Sequence, residues 1–81
     1  MPDARGYSYA FVKAVEKADG RRPEIQFARA CIKAGIPVTR VARDMGVSRM
    51  TVYNWFSGVY RPREAQLAKM HRLTSDYKLA A

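Results

Sequence analysis

Five arginines, Arg40, Arg43, Arg49, Arg61 and Arg63, fall in a stretch where Asp44 is the one acid between the first and the last of them. A guanidinium keeps its charge at any relevant pH and presents a planar fork of donors that matches the oxygens of phosphate and carboxylate groups. Ser48, Thr51, Tyr53 and Asn54 stand among these arginines and add neutral hydrogen-bonding groups. The chemistry on offer is recognition of a polyanion. Within the same stretch the segment "RDMGVSRMTVYNWFSG" breaks a helix-like pattern at Gly46 and restarts it at once.

The remaining residues offer little other chemistry. Cys31 has no second cysteine to pair with, and with the single His71 it falls short of a closed metal site, so it reads as a small core residue. His71 has no nucleophile or carboxylate arrangement around it, and the chain has neither a glycine-rich phosphate loop nor paired carboxylates on a pocket-sized scaffold. The expectation is a non-enzymatic chain with no metal, no cofactor and no small-molecule ligand. Fifteen Lys and Arg against seven Asp and Glu give a formal charge of +8, which by itself suits either a nucleic-acid partner or a merely basic, solvated surface. No apolar run approaches the roughly 20 residues of a membrane span, and "MPDARGYSY" lacks the apolar stretch of a signal peptide. A cytoplasmic protein is expected.

The elements that must position these groups are marked by periodicity and by Pro and Gly. "YSYAFVKAVEKADG" places Tyr7, Phe11, Val15 and Ala18 at helical spacing, predicting a helix over about 7–19 with Gly20 as its stop. "RRPEIQFARACIKAG" opens on Pro23 and ends at Gly35, with Ile25, Ala28, Cys31 and Ile32 on one face. "PVTRVARDMG" is a third helix with Val38, Val41, Ala42 and Met45 inward. Ser48 then restarts helix as an N-cap, and Val52, Trp55 and Phe56 form the next stripe, with Trp55 read as core. Phe56 suits three places: packing on the last helix, the sugar-phosphate backbone, or a dimer interface. Pro62 opens a final helix through about Leu73, with Ala65, Leu67, Ala68, Met70 and Leu73 as inward candidates, and the tail 74–81 is expected to fray unless Tyr77 and Leu79 dock. The chain reads as one all-α domain, a compact bundle of about five short helices joined by short turns. A glycine turn between two crossing helices, here over about 38–57, forms a helix-turn-helix.

The small Ala42, Met45, Gly46, Val47, Val52 and Trp55 stand at the spacing of the helix-turn-helix family of phage repressors and Cro proteins, which this sequence resembles from about residue 25 to 73. Residues 1–20 fall outside the resemblance. The resemblance implies a lambda repressor-like fold and assigns base reading to Arg49, Met50 and Asn54. Their chemistry suits it: arginine can bridge guanine O6 and N7, asparagine can pair with adenine N6 and N7, and methionine can pack on a thymine methyl. Backbone or supporting contacts are expected from Arg40, Ser48, Thr51, Tyr53, Arg61 and Arg63, with Tyr53 equally suited to leaning on the domain. Arg21 and Arg22 reach DNA only if the first loop faces it. The implied function is a sequence-specific regulator of transcription that occupies an operator in double-stranded DNA as a homodimer, through its last helix and tail or its N-terminal helix. "VSRMTVYNW" also resembles the DNA-recognition modules of transposases, invertases and phage small terminase subunits, and a protein-interaction module is a further alternative.

Overall fold

A computed structural model of the chain describes residues 8–79, so Tyr7 and the last two residues of the tail lie outside the described residues. The described chain forms five helices and no strand: α1 Tyr9–Lys17, α2 Pro23–Ala34, α3 Val38–Met45, α4 Arg49–Phe56 and α5 Glu64–Asp76. The bundle is organised on α2, which contacts α1, α4 and α5, while α3 packs on α4 and α5.

The local causes are those of Pro and Gly placement. Pro23 occupies the first turn of α2, where its missing N–H is not needed, and Gly35 ends that helix in the left-handed region at φ 74°. Pro37 is the extended residue before α3, and Gly46 closes α3 at φ 71° and ψ 32°. The Val47 N–H then reaches back to the Ala42 carbonyl at 3.0 Å. A Cβ at Gly46 would meet nothing within 4 Å, so glycine is required there by backbone conformation and not by space.

Two boundaries differ from the sequence expectation. α1 stops at Lys17, and Ala18 is already extended, before Gly20 is reached. The cause is tertiary: the Arg29 guanidinium of α2 donates to the carbonyls of Glu16 at 2.9 Å and Ala18 at 3.1 Å, satisfying groups that another helical turn would use. Gly20 is instead where that guanidinium passes, and an added Cβ would collide with it. At the other end α5 continues past Leu73 to Asp76, and through residue 79 the tail takes the docking alternative: Tyr77 stacks on Phe27 with ring centroids 6.4 Å apart, and its hydroxyl donates to Asp44 Oδ2 at 2.6 Å.

The core runs through all five helices, with Val15, Ala28, Cys31, Val41, Val52 and Phe56 essentially without solvent contact. Trp55 is buried as expected. Phe56 takes none of its DNA or dimer options and sits between α1 and α2, its ring 6.4 Å from Phe11 and 6.0 Å from Phe27. Burying an aromatic side chain of this kind contributes about 2 to 3 kcal/mol. Ala65 and Ala68, expected inward, are exposed, whereas Phe27 is buried. Cys31 is a core thiol, and burial pushes it up to about 12, far from a reactive thiolate. Among the described residues, no helix is long and apolar enough to cross a membrane.

Candidate nucleic-acid interface

α4 begins where the Gly46 turn delivers Ser48 in an extended conformation. The Ser48 hydroxyl accepts the Thr51 N–H at 3.2 Å and hydrogen-bonds the Thr51 hydroxyl at 3.0 Å, so both side chains serve the helix start. Val52, Trp55 and Phe56 turn inward and fix the rotation of α4 about its axis. Met50 and Asn54, four residues apart, consequently share the opposite face, with Arg49 exposed beside them. Met50 leaves 66% of its surface in water, an unusual position for a methionine in a well-packed bundle. Asn54 is half-buried, and its backbone carbonyl anchors the following turn. Tyr53 leans on the domain, its ring edge-on to Phe11 of α1 with centroids 4.8 Å apart.

Electrostatics separate this face from the rest of the chain. The stretch 45–63 contains no Asp or Glu, and α4 carries no acid in its first turn, so nothing on the helix neutralises its positive N-terminal end. Among the described residues, the exposed Arg49, Arg61 and Arg63 have no intramolecular hydrogen-bond or ion-pair partner for their guanidinium groups. Arg63 uses its backbone N–H, which donates to Gln66 Oε1 at 2.8 Å and caps α5.

The other expected contacts stand elsewhere. Arg40 lies over the Tyr77 ring, 4.7 Å from its centroid, and 3.8 Å from Asp44 Oδ2, so a phosphate there competes with partners on α3 and after α5. Arg43 is 3.5 Å from the other oxygen of Asp44. Asp44, the acid that opposes the motif arginines in sequence, is thereby taken up. The Tyr77 hydroxyl, and then Arg43 and Arg40, hold its carboxyl below the usual range, while burial first and Asp44 second raise the phenol of Tyr77. Arg21 is bound to Asp19 at 3.1 Å, and Arg22 turns inward to pair with the buried carboxylate of Glu24. Among the described residues no group of three His, Cys, Asp or Glu side chains converges as a metal site.

Val59 and Tyr60, which sequence periodicity does not single out, leave 62% and 64% of their surface exposed in the turn after α4. A signal is nonetheless present: two adjacent residues with apolar side chains follow Gly58, where no helical face can bury both.

Comparison with family models matches residues 24–60 to a homeodomain-like domain of the helix-turn-helix class. No curated protein and no solved structure compared with the chain matches it. The match covers α2, α3, the Gly46 turn, α4 and the start of the following turn, and it leaves out α1 and α5. It supports helix-turn-helix DNA binding without singling out the repressor or Cro type. With α3, the left-handed glycine and α4 in this arrangement, residues 24–60 form a helix-turn-helix that is similar to the homeodomain-like domain.

Proposed function

We propose that the chain is a sequence-specific regulator of transcription that binds double-stranded DNA as a dimer, in the manner of a phage-type repressor on its operator. The observation that carries this reading is the outward face of α4, where Met50 and Asn54 stand with the exposed Arg49 beside them at the helix start, in a carboxylate-free stretch flanked by the unpaired guanidinium groups of Arg61 and Arg63. α4 enters the major groove; Arg49 and Asn54 bond base edges, Met50 packs against a thymine methyl, and Arg61 and Arg63 meet phosphates. Ser48 and Thr51 present the helix start, and Arg40 reaches a backbone oxygen only by leaving Tyr77 and Asp44.

Eight residues of α4 read few base pairs, which is the reason for a dimer. Two-fold symmetry then predicts half-sites about 34 to 36 Å apart, and the domain's largest extent of 34 Å suits neighbouring copies on one face of the duplex. The protein acts by occupancy, without catalysis, a cofactor or a small-molecule ligand, on nucleoid DNA in the cytoplasm of a bacterial or phage-infected cell. A DNA-targeting module of a recombinase or terminase would use the same face. The homeodomain-like family match, which carries no repressor designation, supports that second reading equally.

The test is selection of bound duplexes from a random pool at about 150 mM salt, where the nonspecific phosphate contribution is suppressed. A palindromic motif that relaxes at separate positions in Arg49→Ala and Asn54→Ala is expected. A motif without a dyad favours the targeting module, and enrichment of no motif overturns sequence-specific binding.

A further inference from the structure

The turn that leaves α4 is built to stay where it is. Gly58 takes φ 82°, its N–H bonds the Trp55 carbonyl at 3.2 Å, and the N–H groups of Val59 and Tyr60 both donate to the Asn54 carbonyl, at 2.9 and 3.3 Å. A Cβ on Gly58 would lie 3.5 Å from Arg22 Nη1 and 3.6 Å from the Ala18 Cβ, so the turn rests on the connection between α1 and α2. Arg22 is itself held by its ion pair with Glu24. Beyond the turn, Pro62 is buried and Gln66 fixes the Arg63 backbone. Between these anchors Val59, Tyr60 and Arg61 project outward. A turn fixed in advance loses little conformational entropy on binding, and the exposed side chains gain favourable burial if a partner covers them.

Three observations identify that partner. The turn is continuous with the α4 face, because Asn54 supplies the carbonyl that anchors it. Arg61 and Arg63 flank the buried Pro62, and their guanidinium groups have no intramolecular partner among the described residues. No acid lies in 45–63, so a second copy laid on this surface would bring like charges together without compensation.

We propose that residues 59–61 form a second DNA-contacting element on the sugar-phosphate backbone beside the groove that α4 enters. The Tyr60 phenol donates to a phosphate oxygen, Val59 and the Tyr60 ring cover the adjacent deoxyribose, and Arg61 pairs with a phosphate. The inference rests on the DNA-binding reading of α4 and extends it to residues that secure affinity without reading sequence.

The full chain is titrated with the selected duplex and with an unrelated duplex, as wild type, Tyr60→Phe, the double variant Val59→Ala/Tyr60→Ala, and Arg61→Ala. The double variant is expected to weaken both duplexes by the same factor, about tenfold, and Tyr60→Phe, which keeps the ring, by about threefold. Neither changes the recognised motif or the sedimenting mass. Arg61→Ala is expected to lower the slope of log affinity against log salt by about 0.9. Unchanged affinity in both Tyr60 variants, while Arg49→Ala still weakens binding, overturns the second DNA-contacting element and leaves the α4 reading standing. Loss of a dimer in the double variant overturns it in favour of an interface between copies. Failure of the wild type to bind either duplex overturns both.

Discussion

The arginines on the two sides of Gly46 live in different surroundings. Among the described residues, each of those before it has an intramolecular partner: Arg21 has Asp19, Arg22 has Glu24, Arg29 has two carbonyls of α1, and Arg40 and Arg43 share Asp44. After it, the guanidinium groups of Arg49, Arg61 and Arg63, and that of Arg72 on α5, have none among the described residues. A formal charge of +8 is therefore not a uniform coat. One set of arginines is used up in closing helices, bridging the α1–α2 loop and holding the end of α5, and the other remains available. The difference matters energetically, because a guanidinium already bonded must give up that partner before it can meet a phosphate, whereas a solvated one exchanges only water and counterions. The chain's acids show the same division from the other side, being concentrated where arginines are structural and missing from 45–63.

Substitutions on the two sides should thus fail differently. The largest effect is expected from Arg22→Ala, which leaves the fully buried Glu24 carboxylate without its ion partner and should lower unfolding stability by about 3 kcal/mol. Denaturant unfolding checks this, and a variant of unchanged stability would break the claim that Arg22 is structural. Next comes Arg49→Ala, which should leave the unfolding midpoint alone and remove about 1 to 3 kcal/mol of discrimination at one base position in duplex titrations. A drop in stability of that size instead would move Arg49 to the structural set.

Smaller still is Tyr77→Phe, which removes the hydrogen bond to Asp44 and should reduce stability by about 1 kcal/mol without altering DNA affinity. That bond also carries a pH signature. Because the folded carboxyl of Asp44 titrates below its ordinary value, the unfolded chain takes up the proton first as pH falls. The stabilisation is complete above the ordinary carboxylate value of about 4 and is lost below it, so wild type and Asp44→Asn should converge in stability toward acid. A stability gap that stays constant down to about pH 2 would remove the charged Asp44 from this account.

Much of the fold is legible in the sequence because Pro and Gly punctuate it. Pro23, Gly35, Pro37, Gly46 and the Ser48 cap each stand within a residue or two of a helix end, and the apolar faces of α2, α3 and α4 follow the 3.6-residue period. What periodicity does not record are features decided by residues distant in sequence. Lys17 ends α1 because Arg29 arrives from α2, and α5 outruns Leu73 because Tyr77 finds Asp44, 33 residues away. Glu24 has the sequence position of a solvated acid in the first turn of an amphipathic helix, and its burial depends on Arg22 folding back from the loop. At the interface the exposed face of α4 is readable from its inward stripe of Val52, Trp55 and Phe56. Which arginines stay free is not, since neither spacing nor composition records whether a guanidinium has found a carboxylate.

That division can be measured directly through the salt dependence of binding to the selected duplex in two double variants, Arg61→Ala/Arg63→Ala and Arg21→Ala/Arg43→Ala. Both pairs remove the same charge from exposed positions. The first should lower the slope of log affinity against log salt by about 1.8, at about 0.9 for each phosphate left unneutralised, and the second should leave it nearly unchanged. Equal reductions of slope from the two pairs, or a larger reduction from Arg21 and Arg43, would contradict the separation of structural from DNA-binding arginines.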